Sequence, residues 1–131
     1  MPGVAVDTHT IVWFLSSDSQ LSTKARDVLR ATTVAGDEIY VPSICLVELT
    51  YLAEKGRLPA RDRLIQALDD PAVPCSLVPL DRNVADALAL VKRSDVPDLP
   101  DRIVAATAVA LRVSLISRDA KIRASLVNTI W

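Results

Sequence analysis

Four acidic residues of this chain lie in apolar surroundings, whereas most of its other acids lie in polar ones. Asp7 directly follows the apolar run Val4–Val6, and Glu48 interrupts the apolar segment ICLVELTYL. Asp101 precedes the largely apolar stretch RIVAATAVAL, and Asp119 follows the apolar segment SLI. An ionised carboxylate among apolar groups needs a cation or a charged partner, because desolvation otherwise forces it to take up a proton. We therefore treat these four acids as candidate functional groups.

Each of the four acids also has a purely structural interpretation, which for Asp101 is a place in the first turn of a helix capped by Asp98. Asp7 and Asp119 could each cap the first turn of a helix by accepting backbone N–H hydrogen bonds. Glu48 could pair with Lys55 on the same helix, although seven residues correspond to two helical turns. Glu48 lies off the polar side of its predicted helix, which favours a functional position. Local sequence alone leaves both interpretations open for Asp7 and Asp119.

Strands and helices alternate along the chain, which predicts an α/β fold with a parallel sheet covered on both faces. The predicted strands cover residues 4–6, 39–41, 76–78 and 114–117, and residues 125–130 could form an edge strand. The predicted helices cover residues 8–15, 22–35, 43–55, 61–68, 81–92, 101–112 and 119–124. We expect residues 1–131 to form a single domain, because this length can bury a sizeable core.

The predicted elements bring the acids toward one edge of the sheet. In parallel sheets, binding sites lie outside the carboxyl ends of the strands. Asp7 ends one predicted strand and Asp119 follows another, while Asp98 as a helix cap leaves Asp101 free to point toward that edge. Like charges packed together destabilise a fold unless a cation lies among them. Oxygen donors without His or Cys suit Mg²⁺ or Mn²⁺ and the activation of water at a phosphate.

Composition sets few limits on the partners of this protein. The formal net charge is −1, which is a mild argument against a nucleic-acid partner but allows a local basic patch. Cys45 and Cys75 lie in apolar segments, so buried reduced thiols are expected. Neither a secretion signal nor an apolar run of about 18 residues is present, which predicts a cytoplasmic protein without membrane contact.

Several other chemistries fit the sequence poorly. The chain has one histidine, His9, so a ribonuclease with paired histidines as acid and base is excluded. A Ser-His-Asp site would need His9 beside Asp7, and no nucleophile elbow accompanies them. The sequence contains neither of the two glycine-rich phosphate-binding motifs, GxxxxGK[ST] and GxGxxG. A phosphoacceptor receiver domain would need adjacent acids after the first strand, where this chain has only Asp7. It would also need a Lys at the end of a late strand, where this chain has Arg118.

Four segments taken in order resemble a known family. VDTHTIVWFL, VPSICLVELTYLAEKGRL, DLPDRIVAATA and LISRDAKI are together similar to PIN-domain ribonucleases, above all to the VapC-type toxins of bacterial toxin–antitoxin pairs. The resemblance covers essentially the whole chain. It implies a PIN-like three-layer α/β fold with a central, mainly parallel sheet and helices on both faces.

The resemblance also assigns roles to individual residues. By this resemblance the four acids are the catalytic quartet of the family, which consists of Asp7, Glu48, Asp101 and Asp119. The resemblance assigns metal binding to three of them, Asp7, Asp101 and Asp119. Asp98 matches an accessory acid, and Ser117 matches a hydroxyl residue that supports the site by hydrogen bonding. The family more often has Asn or Ser where His9 stands, so His9 receives no catalytic role.

The activity implied by the resemblance is Mg²⁺-dependent hydrolysis of RNA phosphodiester bonds, with Mn²⁺ as a substitute metal and 5′-phosphate and 3′-hydroxyl products. A cognate antitoxin protein and a homodimer are implied partners. From their positions near the predicted site edge, Arg102, Arg118, Lys121 and Arg123 are candidate substrate contacts, and aromatic stacking positions are scarce. The alternative is a binding module of PIN architecture with weak or no nuclease activity.

Overall fold

The protein, described here by a computed structural model over residues 2–56 and 58–131, is built on a parallel β-sheet. In these residues the strands are β1 Val4–Val6, β2 Ile39–Pro42, β3 Cys75–Val78, β4 Ser114–Ile116 and β5 Thr129–Ile130. Their spatial order is β3-β2-β1-β4-β5, and every pair of neighbours is parallel. The α/β class with a parallel sheet is thereby confirmed.

Helices connect consecutive strands, as parallel pairing requires. They are α1 Thr8–Leu15, α2 Thr23–Ala35, α3 Ser43–Glu54, α4 Leu58–Asp69, α5 Arg82–Ala87, α6 Leu99–Leu111 and α7 Ala120–Arg123, with a 3-10 turn at Leu88–Leu90. Helix α6 packs against β1, β2 and β4 at the centre of the sheet. Its alanines Ala105, Ala106 and Ala108 are fully buried, and their small size permits this close approach.

The central strand is buried on both faces. Val4, Ala5 and Val6 of β1 are all buried, and successive strand residues point to opposite faces of a sheet. Helices must therefore cover both faces, which matches the prediction. Cys45 and Cys75 are also buried and form no disulfide, which confirms the expected free thiols. No helix in the described ranges is long and apolar enough to cross a membrane.

Two predicted elements are shorter in the structure. The helix predicted at 81–92 ends at Ala87 as α5, and the chain continues as the 3-10 turn. Arg102 donates hydrogen bonds to the carbonyl oxygens of Leu88 and Val91, which therefore need no partner within a longer helix. The edge strand predicted at 125–130 is reduced to Thr129–Ile130. Before it, the Ser125 hydroxyl donates to the Ile122 carbonyl oxygen and stabilises a turn. The helix predicted at 61–68 begins earlier, at Leu58.

The strand order reverses direction between β1 and β4. From β1 the chain moves to β2 and β3 on one side, and β4 pairs with β1 on the other. Val6 pairs with Ile116, so the residues that follow these two strands leave the sheet side by side. Crevices at such reversals are the usual binding sites of parallel α/β sheets. The acids Asp7 and Asp119 lie beside this crevice.

Candidate active site

Asp7 caps helix α1 and also belongs to the candidate site. Its Oδ1 accepts a hydrogen bond of 2.9 Å from the backbone N–H of Thr10, which caps α1. Its Oδ2 accepts a hydrogen bond from the Ser117 hydroxyl, across the gap between β1 and β4. The two interpretations left open by the sequence are therefore compatible, because a carboxylate has two oxygens. Both oxygens are held, which sets the orientation of the Asp7 side chain.

Ser117 links two of the four acids. Its hydroxyl donates to Asp7 and accepts a hydrogen bond of 3.1 Å from the backbone N–H of Asp119. The Ser117 side chain is fully buried at the end of β4. Asp119 in turn caps α7 through its Oδ1, which accepts from the backbone N–H groups of Lys121 and Ile122. A single hydroxyl thus helps to set the positions of both acids.

Glu48 reaches the site from α3 and is held by a residue of α1. The Thr8 hydroxyl donates a hydrogen bond of 2.7 Å to its Oε1. Thr8 is buried and Glu48 is partly buried, so this contact is partly shielded from water. The alternative partner, Lys55, is exposed and forms no ion pair with Glu48 within the described ranges. Sequence reasoning missed Thr8, although this residue directly follows Asp7 at the start of a helix.

Asp101 lies in the first turn of α6, behind its cap Asp98. The Asp98 side chain is exposed and its Oδ1 accepts a hydrogen bond of 3.1 Å from the backbone N–H of Asp101. The pKa of Asp101 is raised from 3.8 to about 6, first by burial and then by the negative charges of Asp98, Asp119, Glu48 and Asp7, in that order of importance. The carboxylates thus interact electrostatically across the space between four segments of the chain.

All four acids line one cavity of about 260 Å³. Its other lining residues are Thr8, His9, Trp13, Val104 and Arg118. The carboxylates surround this space without closing on a point: in the described part of the chain, no three His, Cys, Asp or Glu side chains are close enough to hold one metal ion. The binding of one ion by Asp7, Asp101 and Asp119 stays a prediction. The oxygen-only donor set still has the chemistry that hard divalent cations require.

Cys45, under the site, is not a reactive thiol. Its pKa is raised to about 12, chiefly by burial and also by the nearby charges of Asp7 and Glu48, against a lowering contribution from the Thr8 hydroxyl. A thiol of this pKa is protonated at neutral pH, and the protonated form is a poor nucleophile.

One wall of the cavity is aromatic and carries a cation. The Arg118 guanidinium carbon lies 4.6 Å from the ring centroid of Trp13, within the range of a cation–π contact. The exposed His9 ring lies against Trp13 at a centroid distance of 5.4 Å, and Trp131 contacts Trp13 at 6.0 Å. His9 and Trp13 are four residues apart on α1, a spacing that places them on one helix face and could have indicated this wall.

The candidate substrate contacts are placed very differently. Arg118 lines the acidic cavity. Arg102 points away from it, since its Nε and Nη2 donate hydrogen bonds of 2.7 and 3.0 Å to the carbonyl oxygens of Val91 and Leu88. Arg102 therefore stabilises the end of the 3-10 turn, and its placement gives no support to the predicted substrate contact. Lys121 and Arg123 are exposed on α7 and do not line the cavity.

Comparison with known proteins gives one family and several relatives. The family model described as PIN domain matches residues 4–125. Ribonuclease VapC22 of Mycobacterium tuberculosis is 27% identical over 123 residues, which cover 94% of this chain and 92% of that protein. The residues matched by the family model include all four segments that carry the acids.

Solved structures with the same fold span almost the whole chain. VapBC2 of Rickettsia felis, bound to a DNA fragment from its promoter, has a TM-score of 0.73 at 14% identity and covers 98% of this chain and 97% of that chain. A toxin–antitoxin complex of Klebsiella pneumoniae has a TM-score of 0.68 at 24% identity and covers 98% of this chain and 96% of that chain. DNA-bound VapBC of Salmonella typhimurium has a TM-score of 0.70 at 17% identity and covers 99% of this chain and 98% of that chain. With the family model matched over residues 4–125, the chain belongs to the PIN domain family.

Proposed function

We propose that this protein is a Mg²⁺-dependent endoribonuclease and the toxin of a toxin–antitoxin pair. The observation that carries the proposal is the meeting of four carboxylates, from four separate segments, in one cavity at the sheet reversal. Burial raises the pKa of Asp101 to about 6, and the negative charges of the neighbouring acids add to this shift. That second contribution is the repulsion among the ionised carboxylates. A bound cation would relieve that repulsion.

The residues proposed to hold the cation are Asp7, Asp101 and Asp119, with Mg²⁺ as the resident ion and Mn²⁺ as a substitute. Mg²⁺ dehydrates reluctantly and usually binds through only one or two carboxylates directly, with water filling its other positions. Carboxylates that line a cavity of about 260 Å³ suit such a hydrated ion. When bound, the ion supplies charge stabilisation at a phosphate and an activated water.

The residues of this chain contribute orientation and charge. Thr8 holds one oxygen of Glu48, so Glu48 is placed to accept a hydrogen bond from an attacking water. Arg118, at the same cavity, would neutralise part of the phosphate charge. Attack of water on phosphorus with departure of the ribose 3′-oxygen leaves a 5′-phosphate and a 3′-hydroxyl. With one histidine in the chain, His9, the sequence offers no histidine pair for attack by the 2′-oxygen.

The relatives support the proposed partners. VapC22 is named a ribonuclease, and the solved structures are described as VapBC or toxin–antitoxin complexes. We accordingly propose RNA as substrate and a protein antitoxin that covers the acidic cavity. We also propose a homodimer, a cytoplasmic location, and a single PIN domain over residues 1–131.

Cleavage of RNA by the wild type, Asp7→Asn and Asp101→Asn tests the proposal, with Asp62→Asn as the matched control on an exposed part of α4. We expect cleavage by the wild type and Asp62→Asn with Mg²⁺, loss of cleavage with EDTA, and at least about a hundredfold loss in both site variants. Equal cleavage by all four proteins would overturn the proposal. RNA binding without cleavage by any of them would favour the binding module.

A further inference from the structure

A second cavity adjoins the acidic one and has the opposite charge. Its volume is about 250 Å³, and it is lined by Trp13, Phe14, Ser17, Leu21, Arg26 and Arg30. None of the described residues that line it is acidic. Trp13 lines both cavities, so they are neighbours on the surface. The carboxylates of the first cavity, the Trp13 ring with Arg118, and the two arginines of the second cavity therefore lie next to one another on the surface.

The two arginines of the second cavity are available to bind an anion. Arg26 and Arg30 are four residues apart on α2, which places them on the same face of the helix. Arg26 makes one long contact of 3.4 Å, from Nη2 to the carbonyl oxygen of Asp18. Neither arginine forms an ion pair with a carboxylate within residues 2–56 and 58–131. Two adjacent guanidinium groups without a carboxylate partner are suited to a phosphate, which they can bind through several N–H donors.

The aromatic lining suits the base of a nucleotide. Phe14 is partly exposed at the second cavity, and Trp13 forms the shared wall. Single-stranded nucleic acids bind where a basic path along the backbone is combined with aromatic side chains against which bases stack. A cavity of this volume is slightly below the usual range for ligand pockets, about 300–1,000 Å³, so it accommodates part of one nucleotide rather than a large ligand.

We propose that the second cavity is a nucleotide subsite for the RNA strand beside the scissile phosphate. Arg26 and Arg30 bind a backbone phosphate there, and Phe14 contacts the adjoining base. This inference rests on the proposed nuclease function and adds the direction in which the substrate leaves the acidic cavity, across Trp13 toward α2. It also offers a way for a chain of net charge −1 to bind a polyanion, since three arginines, Arg118, Arg26 and Arg30, line the two neighbouring cavities.

Binding of a fluorescein-labelled, random-sequence single-stranded RNA, measured by anisotropy over a series of salt concentrations, tests the subsite. All variants are made in an Asp101→Asn background with Mg²⁺ present, so that cleavage does not consume the probe. The test variant is Arg26→Gln/Arg30→Gln. The matched control is Lys24→Gln, which removes a cation from the same helix but two residues from Arg26, on the opposite side.

We expect the double variant to bind about tenfold more weakly than the background protein. Its plot of log affinity against log salt is expected to be shallower by about 0.7 for each phosphate that the two arginines no longer bind, whereas Lys24→Gln leaves both quantities unchanged. Phe14→Leu is expected to weaken binding without changing the salt dependence, because it removes a stacking surface and no charge.

Two results would overturn the subsite, and they differ in meaning for the nuclease. If the double variant binds RNA like Lys24→Gln while the wild type cleaves RNA, the subsite is wrong and the nuclease function stands. If the background protein does not bind RNA and the wild type does not cleave it, both proposals fail together. Circular dichroism of each variant shows whether weaker binding reflects a loss of folding.

Discussion

Ser117 and Asp7, 110 residues apart in the chain, are joined by a hydrogen bond from the Ser117 hydroxyl to Oδ2 of Asp7. The same hydroxyl accepts from the backbone N–H of Asp119. Because β1 and β4 pair in parallel with Val6 opposite Ile116, the next residue of each strand emerges at the same edge. The bond therefore depends on the register of the sheet and couples strand pairing to the geometry of the acidic cavity.

Ser117→Ala is expected to disturb the site more than the fold. The variant leaves Oδ2 of Asp7 without this donor and the backbone N–H of Asp119 without this acceptor. We therefore expect the free energy of unfolding to decrease by about 1–3 kcal/mol. RNA cleavage is expected to fall by about tenfold or more, since neither acid is then held by this hydroxyl. Ser114→Ala, which removes a hydroxyl from the other end of β4, is the control. Equal kcat values for the two variants, from RNA cleavage kinetics, would contradict this positioning role.

Thr8→Val tests whether the orientation of Glu48 matters. Valine keeps the shape of the buried side chain and removes the hydroxyl that donates to Glu48 at 2.7 Å. We expect a stability decrease of about 1 kcal/mol and a fall in kcat of roughly tenfold, with a smaller change in KM. Thr33→Val, which removes a hydroxyl bonded to the Leu29 carbonyl oxygen on α2, serves for comparison. The idea fails if Thr8→Val cleaves RNA as fast as Thr33→Val does.

The raised pKa of Asp101 predicts how the stability of the metal-free protein depends on pH. Its pKa of about 6 in the folded protein lies above the ordinary 3.8, so the folded state binds the proton more tightly than the unfolded state. The free energy of unfolding should therefore decrease as pH rises from about 4 to about 6, and this contribution should be constant above that window. Asp101→Asn removes the ionisable group and with it this pH dependence.

Thermal unfolding in EDTA measures the effect. At pH 8 the Tm of Asp101→Asn is expected to exceed that of the wild type, and the difference should disappear near pH 4, whereas Asp62→Asn should follow the wild type throughout. Added Mg²⁺ should raise the Tm of the wild type more than that of Asp101→Asn, because ligand binding to the folded state stabilises it. A wild type whose Tm does not respond to Mg²⁺ would argue against a metal at this cavity.

Arg102→Ala is expected to destabilise the fold without a specific effect on substrate binding. The guanidinium donates to two carbonyl oxygens at the end of the 3-10 turn, and each bond from a charged donor contributes about 1.5–3 kcal/mol. We expect a lower urea midpoint for Arg102→Ala than for the control Arg93→Ala, which changes an exposed side chain. The KM for RNA should be the same in both variants at a temperature where both are folded. A raised KM for Arg102→Ala alone would restore the substrate contact predicted from sequence.

Much of this fold could be predicted from local patterns. Asp98 caps α6 as predicted, and Ser22 and Asp81, the first residues of two predicted helices, cap α2 and α5. These hydrogen bonds join residues three apart, so a few consecutive positions are enough to determine them. The predicted strands and helices, together with a resemblance to a known family, also predicted that the four acids lie near one edge of the sheet, where they line one cavity.

Contacts between distant segments could not be predicted in this way. The structure alone placed Thr8 against Glu48, turned Arg102 toward backbone carbonyl oxygens, and set Arg118 over Trp13. It also showed that the acids line the cavity without closing on one ion, in the part of the chain described. Each of these outcomes depends on the direction of a side chain after the sheet has set its register. That direction follows from packing among residues far apart in sequence, whereas capping and periodicity follow from neighbours.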